Sequence, residues 1–459
     1  MTAQEISSLV ESQRKFFATG TTLPVKFRKA MLKKLYASVV SNKEEILSAL
    51  TSDLGKSDFE GFMCEVGLTL TEISYMIKKV AKFAKEKTVI TPLPQFASRS
   101  YKKPCPYGNT LIMSPWNYPF LLTIEPLANA IAAGNTAIIK PSAYSPATSK
   151  IVEKIINECF GKEFVAVVTG GRSENSALLE QKFDFVFFTG SQSVGKEVLR
   201  HTAENLTPAI LELGGKSPCI IDNSAKIKLA AKRVVFGKYL NCGQTCVAPD
   251  YILCHESVKN QLIGALCKQI VAQFGENALE NENYGKIINQ KHFDRIVGLI
   301  NSEKVVIGGG SDAEKLKIQP TILDNVSFDD AVMQEEIFGP ILPIITYKDF
   351  SELKALIQKN KNPLALYIFS ENKQRIEEIT TSVSFGGGCV NDVIIHLATS
   401  ELGFGGVGES GMGSYHGKIG FEAFSHRKSI VDKATFMDLP MRYQPYTDKK
   451  AKMINKFLK

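Results

Sequence analysis

The length, composition and charge of the chain exclude several classes of protein. Its 459 residues, 44% hydrophobic and 22% charged, suit two or three globular domains and exclude a wholly disordered chain. The net charge of +8 is modest and partly confined to the tail at 449–456, and no basic stretch interleaved with aromatic residues predicts a nucleic-acid surface. No apolar run reaches membrane-spanning length and no secretory signal is visible, so we expect a soluble, cytoplasmic protein.

The cysteines and histidines argue against disulfides and metals. The nine cysteines are scattered and form no C-x-x-C pair, which is typical of proteins from a reducing compartment. The six histidines form no ligand set with one another or with the cysteines. We therefore expect neither a structural nor a catalytic metal.

The first 87 residues predict a series of amphipathic helices. Apolar residues recur with helical spacing over 24–40 and over 71–84. The run Thr-Pro-Leu-Pro at 91–94 then breaks the pattern, and the loose alternation over 95–103 predicts an exposed hairpin or arm.

Beyond Pro106, short apolar strands alternate with helices. The strands are predicted at 108–113, 136–139, 165–168, 185–188 and 209–213. The helices are predicted at 119–133, at 147–160 with Ser145 as N-cap and Pro146 at N1, and at 190–205. This alternation predicts a parallel, doubly wound sheet, which binds ligands at the carboxyl ends of its strands. A second α/β segment follows residue 216 and contains a helix at 257–274 and strands at 304–307 and 341–346.

Polar motifs follow two strands of the first predicted sheet. In Ser-Pro-Trp-Asn at 114–117, the side-chain amide of Asn117 is placed to donate to a developing oxyanion, and the alternative is a turn that only caps the next helix. Lys140 begins Lys-Pro-Ser after the following strand. It could reach cofactor hydroxyls or phosphate, although a solvated lysine is the commoner use of such a position.

A phosphate site is predicted where Phe-Thr-Gly-Ser at 188–191 passes directly from strand to helix. Backbone N–H groups and the helix dipole favour phosphate there, and Ser191 adds a hydroxyl donor beside Gly190. The formal G-x-G-x-x-G matches over 403–411 lie outside any βαβ unit and are interpreted as chance matches. A Walker A loop at Lys216 is excluded because Ile210 replaces its leading glycine.

Carboxylates occur at two further positions of interest. Glu212 lies between two leucines at a strand end, which favours the raised pKa of a general base, and a salt-bridged glutamate is equally compatible. In Glu-Glu-Ile-Phe-Gly-Pro at 335–340, Glu336 and Phe338 would suit a cofactor ribose and a nicotinamide ring.

The stretch Asn-Cys-Gly-Gln-Thr-Cys at 241–246 presents two cysteines on a Gly-containing turn. A cysteine exposed on such a turn can attack a carbonyl carbon as its thiolate. The spacing alone leaves open whether Cys242 or Cys246 reacts, or whether both are small buried hydrophobes.

Taken in this order, the motifs resemble those of the aldehyde dehydrogenase superfamily. The motifs that carry the resemblance are those at 114–117, 140–142, 188–191 and 335–340, together with Leu-Glu-Leu-Gly-Gly-Lys at 211–216 and Gly-Gln-Thr-Cys at 243–246. The resemblance covers nearly the whole chain. Thr-Cys-Val-Ala-Pro-Asp-Tyr at 245–251 and Gly-Met-Gly-Ser-Tyr-His-Gly-Lys at 411–418 are similar to the class 3 branch in particular.

The resemblance implies a role for each matched residue. For catalysis it implies Cys246 as nucleophile, Glu212 as the base that activates the deacylating water, and Asn117 with the N–H of Cys246 as oxyanion hole. For the cofactor it implies Lys140 at the adenosine ribose, Gly190 and Ser191 at the pyrophosphate, Glu336 and Phe338 at the nicotinamide ribose and ring, and Trp116 as a further contact. No catalytic role is implied for Cys242.

The implied fold is α/β, with two doubly wound open-sheet domains and a small bridging element. The implied cofactor-binding domain comprises 1–87 and 103–212, and the catalytic domain 213–412. A bridging, oligomerisation element and tail then comprise 88–102 and 413–459, which implies a homodimer. The tail is too short and too charged to be the hydrophobic anchor that ends some class 3 relatives.

The implied reaction is oxidation of an aldehyde to a carboxylic acid with NAD or NADP, through a cysteine thiohemiacetal and an acyl thioester. Ala143 stands where many relatives carry a glutamate that disfavours the 2′-phosphate, so we predict use of both NAD and NADP. The resemblance suggests medium-chain aliphatic or aromatic aldehydes without identifying the substrate.

Other functions are weighed against this one. An acylating relative would pass the thioester to coenzyme A, but such enzymes typically lack the base that Glu212 provides. A cysteine hydrolase would combine Cys246 with Glu212, yet no histidine partner is evident and the phosphate turn at Gly190 would have no use. A non-catalytic binding or structural role is the third alternative.

Overall fold

The computed structural model of the chain describes residues 1–458. The α-helices are α1 (Ala3–Ala18), α2 (Val25–Ser41), α3 (Lys43–Leu54), α4 (Asp58–Gly61), α5 (Gly67–Phe83), α6 (Leu121–Ala133), α7 (Pro146–Cys159), α8 (Arg172–Leu179), α9 (Gln192–Glu204), α10 (Ile227–Tyr239), α11 (Lys259–Phe274), α12 (Gln290–Val297), α13 (Leu353–Gln358), α14 (Lys373–Ser382), α15 (Gly417–Ala423) and α16 (Asp448–Phe457). The strands are β1 (Lys87–Val89), β2 (Ser98–Pro106), β3 (Asn109–Met113), β4 (Thr136–Lys140), β5 (Val165–Val167), β6 (Phe185–Gly190), β7 (Ala209–Leu213), β8 (Pro218–Ile221), β9 (Tyr251–His255), β10 (Val305–Ile307), β11 (Ser311–Asp312), β12 (Lys317–Ile318), β13 (Thr321–Leu323), β14 (Ile341–Tyr347), β15 (Ala365–Phe369), β16 (Gly387–Val390), β17 (Gly411–Met412) and β18 (Ser425–Lys433). Within residues 1–458, no helix is both long enough and apolar enough to cross a membrane.

The first large sheet joins its strands in the order β17-β7-β6-β3-β4-β5, parallel except where β17 meets β7. Both faces of β3 and β4 are buried, because successive side chains alternate between two helical layers. Ile112 and Ile139 join the apolar cluster that contains α6 and α7 residues. Leu111 and Ile138 join the opposite cluster, with α1 and α9 residues.

The second large sheet joins its strands in the order β10-β13-β14-β9-β8-β15-β16, parallel except for the pair β10 and β13. The fold class predicted from the sequence, with two doubly wound open sheets, is confirmed. The chain returns to the first sheet only at β17, after completing the second. The residue limits assigned to the domains stay predictions.

A small antiparallel sheet of β1, β2 and β18 stands apart from the large sheets. It contains the exposed arm predicted at 95–103, whose residues from Ser98 onward form part of β2. This strand pairs with β18 along its full length, from Ser98 opposite Lys433 to Pro106 opposite Ser425. Most of β18 is exposed, so this sheet presents an open face.

Helix α7 begins where predicted, but its cap differs from the prediction. Ser145 occupies the N-cap position without making a side-chain capping bond. Instead, Asp53 at the end of α3 accepts the N–H groups of Ala147 at 3.1 Å and Thr148 at 2.8 Å. A carboxylate satisfies the unpaired N–H groups and the dipole of a helix start better than a hydroxyl does. A tertiary contact therefore replaces the local cap.

Candidate active site

Residues that precede strands β8, β9, β14 and β15 of the second sheet line one part of a cleft of about 740 Å³, and its other part opens at the carboxyl edge of the first sheet, where β3, β6 and β7 end. This is the edge at which parallel sheets bind ligands. Eight of the nine residues predicted for the site line the cleft: Trp116, Asn117, Gly190, Ser191, Glu212, Cys246, Glu336 and Phe338. The structure therefore brings together residues as far apart in the chain as Trp116 and Phe338.

Lys140 is the predicted site residue that lies outside this lining. It ends β4, and its Nζ donates to the carbonyls of Pro141 at 2.9 Å and Gly170 at 2.7 Å. Burial lowers the pKa of its ammonium to about 8. Its contact with an adenosine ribose stays a prediction.

Cys246 lies where the cleft meets a second cavity. This cavity, of about 290 Å³, has a mostly apolar wall, and Cys246 and Thr189 line both spaces. Its apolar lining includes Leu68, Leu121, Leu122, Phe236, Leu240, Ile394, Ile395, Leu397 and Phe404. Cys246 thus borders a polar space and an apolar space.

Cys242 faces the other way. It is buried in the core of the second sheet with Tyr284 and Ile220, and it lines neither space. Burial raises the pKa of its thiol far above the ordinary value. Of the two cysteines that the sequence left open, only Cys246 is placed to meet a ligand.

The electrostatic setting of Cys246 and Glu212 disfavours ionisation of both groups. Burial, followed by the carboxylates of Glu336 and Glu212, raises the pKa of the Cys246 thiol. Burial alone raises the pKa of Glu212 well above its usual range, and among residues 1–458 neither of its oxygens has a hydrogen-bond partner. A carboxylate without a partner in an apolar setting is suited to accept a proton at neutral pH.

Asn117 lies in the loop between β3 and α6. Its Nδ2 donates to the carbonyl of Gln244 at 3.0 Å, which ties this amide to the turn that carries Cys246. In the same region the hydroxyl of Tyr118 lies 2.6 Å from that of Thr245. Two neighbouring hydrogen bonds therefore hold the loop of Asn117 against the cysteine turn.

Glu336 sits against the Gly214-Gly215 turn at the end of β7. Burial, followed by the charge of Asp250, raises the pKa of its carboxyl to about 8. A side chain at Gly214 would collide with its Oε2, so only glycine leaves room for this carboxyl. The carboxyl is thereby held at the cleft wall, where it can accept a hydrogen bond from a sugar hydroxyl.

Two cleft residues on α12 were missed by the sequence reasoning. The ring of His292 lies 5.1 Å from that of Trp116, and the ring of Phe338 lies 5.3 Å from that of Trp116 in an edge-on arrangement. Arg295 donates to the carbonyl of Ile337 at 2.6 Å and so fixes the segment that carries Phe338. No local signal marks either residue, because an amphipathic helix with a histidine and an arginine is ordinary.

The residues present fit a dinucleotide. Ser191 is the N-cap of α9, and its hydroxyl lies 3.1 Å from that of Ser193. The first N–H groups of this helix have no intrahelical acceptor, and together with the dipole they suit a pyrophosphate. The aromatic pair of Trp116 and Phe338 then offers a surface for a flat ring. Among residues 1–458, no group of three or more His, Cys, Asp and Glu side chains could hold a metal ion.

Comparisons with known proteins agree with this arrangement. Residues 1–430 match the family model described as the aldehyde dehydrogenase family. The chain is 48% identical over 446 residues to 4,4′-diaponeurosporen-aldehyde dehydrogenase of Staphylococcus aureus (strain NCTC 8325 / PS 47), covering 97% of each chain. It is 42% identical over 444 residues to "aldehyde dehydrogenase, dimeric NADP-preferring" of Canis lupus familiaris, covering 96% of this chain and 98% of the relative.

A solved structure gives the same result. It is the substrate-bound state of AldH from Staphylococcus aureus, with a TM-score of 0.97, 47% identity and coverage of 99% of both chains. The order of the motifs, the two open sheets and these similarities agree with one another. The chain therefore belongs to the aldehyde dehydrogenase family and is an NAD(P)-dependent aldehyde dehydrogenase.

Proposed function

We propose that Cys246, Glu212 and Asn117 carry out the oxidation of the aldehyde. The observation that carries this proposal is the position of Cys246 between the polar cleft and the apolar cavity. An aldehyde in the cavity and a nicotinamide in the cleft would both reach its Sγ. Glu212 lines the same cleft and supplies a proton acceptor.

In the first half-reaction, Cys246 Sγ gives up its proton to solvent and forms a bond to the aldehyde carbon. The π electrons of the carbonyl move to its oxygen, which becomes an oxyanion. One N–H of the Asn117 amide is held by Gln244, and the other is proposed to hold this oxyanion together with the backbone N–H of Cys246. Bound in the cleft against Glu336, Gly190 and Ser191, NAD(P) would supply a hydride acceptor, and loss of the hydride from this carbon restores the carbonyl as a thioester.

In the second half-reaction, Glu212 takes a proton from water, and the oxygen adds to the thioester carbon. The carbon–sulfur bond then breaks, the carboxylic acid leaves, and the Cys246 thiolate is regenerated. For the cofactor, Glu336 is proposed to bind the nicotinamide ribose. Trp116 and Phe338 flank the ring, and Gly190 and Ser191 bind the pyrophosphate.

The proposed substrates are aldehydes with an apolar chain or ring, because the cavity beyond Cys246 is walled mainly by aliphatic and aromatic side chains. A panel of aldehydes followed at the nicotinamide absorbance band tests this. We expect kcat/KM to increase with the apolar surface of the aldehyde until the cavity is filled. A preference for small polar aldehydes would contradict the proposal. Acyl-CoA as main product when coenzyme A is added would instead identify an acylating enzyme.

Use of both cofactors is proposed from Ala143, which is exposed in the turn between β4 and α7. The relative named "dimeric NADP-preferring" supports this. We expect similar kcat/KM values for NAD and NADP. Ala143→Glu should lower the value for NADP by about tenfold or more, because a carboxylate repels the 2′-phosphate. NAD serves as the internal control, and a large preference of the unaltered enzyme for NAD would contradict the proposal.

A homodimer in the cytoplasm is proposed as the working form. The printed name of the canine relative includes "dimeric", and the small sheet region carries exposed apolar side chains at Ile90, Phe96, Val431 and Phe436. The cysteines are all unpaired, as expected in a reducing compartment. Sedimentation equilibrium tests the dimer, and a single monomeric species at micromolar concentration would contradict it.

A further inference from the structure

A buried ion pair lies behind the loop that carries Asn117. Lys56 Nζ lies 2.5 Å from Glu65 Oε1, and the two side chains are 1% and 0% exposed. The ammonium also donates to the backbone carbonyl of Asn117 at 3.0 Å and lies 4.1 Å from the centre of the Tyr118 ring. Neither charged residue lines the cleft or the cavity, so neither is placed to touch substrate or cofactor.

Glu65 holds the other end of the same loop. It lies in a π-helical stretch, Phe62–Val66, between α4 and α5. Its Oε2 accepts the N–H groups of Phe120 at 2.9 Å and Leu121 at 3.2 Å, where α6 begins. The ion pair therefore holds a carbonyl in the middle of the loop, at Asn117, and two N–H groups at its end.

A third contact connects this loop to the cysteine turn. Asn241 adopts a left-handed backbone conformation with φ 51°. Its Nδ2 donates to the carbonyl of Asn117 at 2.8 Å and to that of Gln244 at 3.1 Å. The carbonyl of Gln244 also accepts Asn117 Nδ2 at 3.0 Å. The carbonyl of Asn117 thus accepts hydrogen bonds from the Lys56 ammonium and the Asn241 amide. The side chain of Asn117 donates to the turn that carries Cys246.

Stability alone does not account for this arrangement. Two charges removed from water lose their hydration, and replacing a buried ion pair with apolar residues of similar volume is often neutral or stabilising. What the pair supplies is geometry, because each of its polar contacts fixes a backbone atom beside Asn117. Oxyanion stabilisation depends strongly on such placement.

We propose that Lys56 and Glu65 are positioning residues that hold the Asn117 amide in place for the oxyanion. The proposal rests on the proposed function of Asn117. Removing the ammonium takes away one of the two donors to the carbonyl of Asn117 and leaves Asn241 Nδ2 as the other. The aldehyde then still binds, but the amide is displaced when the carbonyl oxygen becomes charged.

The test is the single-turnover rate of NAD(P)H formation with enzyme in excess of aldehyde. We expect Lys56→Met to lower this rate by about tenfold with little change in cofactor affinity, since small displacements of an oriented group are costly. Asn117→Ala should lower it by about a hundredfold or more. In the Asn117→Ala background, Lys56→Met should have less than about a twofold further effect, because residues that act through one group are not additive.

Arg28→Met is the matched control. Arg28 is a buried cation that donates to backbone carbonyls, those of Leu23 at 2.7 Å and Thr22 at 3.0 Å among them, and it does not contact the loop of Asn117. Its replacement should lower the melting temperature and leave the single-turnover rate unchanged. Should Lys56→Met fail to fold, Lys56→Gln with Glu65→Gln gives a neutral pair. The glutamine amide is one bond shorter than the ammonium and cannot reach Asn117, so the same loss of rate is expected.

Three results would overturn the proposal. The first is an unchanged rate in a folded Lys56→Met or double-glutamine variant. The second is an equal fold-decrease in the single-turnover rate when Lys56→Met is made in the unaltered enzyme and in Asn117→Ala, which indicates a general structural effect. The third is a wild-type rate in Asn117→Ala, which removes the oxyanion role itself. If Asn117→Ala is slow but Lys56→Met reacts at the unaltered rate, the positioning role of Lys56 is overturned and the oxyanion role of Asn117 stands.

Discussion

Replacement of Cys246 by alanine is expected to abolish aldehyde oxidation while leaving cofactor binding intact. The methyl group of alanine cannot form the thiohemiacetal, and without that bond no acyl thioester can arise. Because the thiol has a raised pKa, we also expect kcat/KM of the unaltered enzyme to increase with pH from about 6 to about 9, as the proton is lost more readily. Steady-state rates of NAD(P)H formation measure the loss of oxidation and the pH dependence, and a direct titration with NAD(P) measures cofactor binding.

Cys242→Ala is the matched control for that variant. Cys242 lies four residues upstream on the same turn but packs in the core of the second sheet. Its replacement should reduce stability by about 1 kcal/mol, as removal of a small buried side chain does, and should leave turnover in place. Substantial oxidation by Cys246→Ala, or loss of activity only in a folded Cys242→Ala enzyme, would move the nucleophile to the other cysteine.

Replacement of Glu212 by glutamine should separate the two half-reactions. The glutamine keeps the shape of the side chain but cannot take a proton from water at neutral pH. Thiohemiacetal formation and oxidation should therefore proceed once per active site, after which the acyl-enzyme accumulates. Because a positioned general base contributes about 10² to 10⁴ in rate, steady-state turnover should decrease by at least about a hundredfold.

A rapid-mixing experiment measures this separation. The expected trace is a burst of NAD(P)H close to one equivalent per Cys246, followed by a nearly flat phase, with the acylated protein visible by mass spectrometry. The burst itself shows that the variant is folded and binds cofactor. Steady-state turnover at the unaltered rate would show that Glu212 is not the base. Loss of the burst as well would place Glu212 in the first half-reaction.

Much of the fold and of the candidate site follows from local patterns in the sequence. Alternating apolar strands and amphipathic helices predict parallel sheets, and the family and fold class predicted from the ordered motifs are confirmed. The residues of the cleft were identifiable because they lie at or shortly after the carboxyl ends of strands, as Asn117, Gly190 and Glu212 do. Backbone geometry forces strand ends to one edge of a sheet, so local sequence carries this information. Their catalytic roles remain predictions.

Other features arise only in the tertiary structure. The sequence did not decide which of the two cysteines reacts. In the structure Cys242 packs with Tyr284 in the core of the second sheet, whereas Cys246 lines both the cleft and the apolar cavity. The cap of α7 comes from Asp53 instead of the adjacent Ser145. In each case the residue that makes the contact is distant in the sequence, so a local sequence pattern cannot predict it.

The same reason applies to the electrostatics of the site. In the sequence, Glu212 between two leucines is compatible with a salt bridge or with a raised pKa. Its burial in the structure raises the pKa, and among residues 1–458 neither of its oxygens has a hydrogen-bond partner. The ion pair of Lys56 and Glu65 is likewise invisible in the sequence, since it becomes meaningful only where it contacts Asn117. Short-range periodicity determines which elements form and which edge binds ligands. The packing of those elements determines burial and long-range contacts. These in turn determine which side chains are ionised, which are fixed by hydrogen bonds and which are exposed.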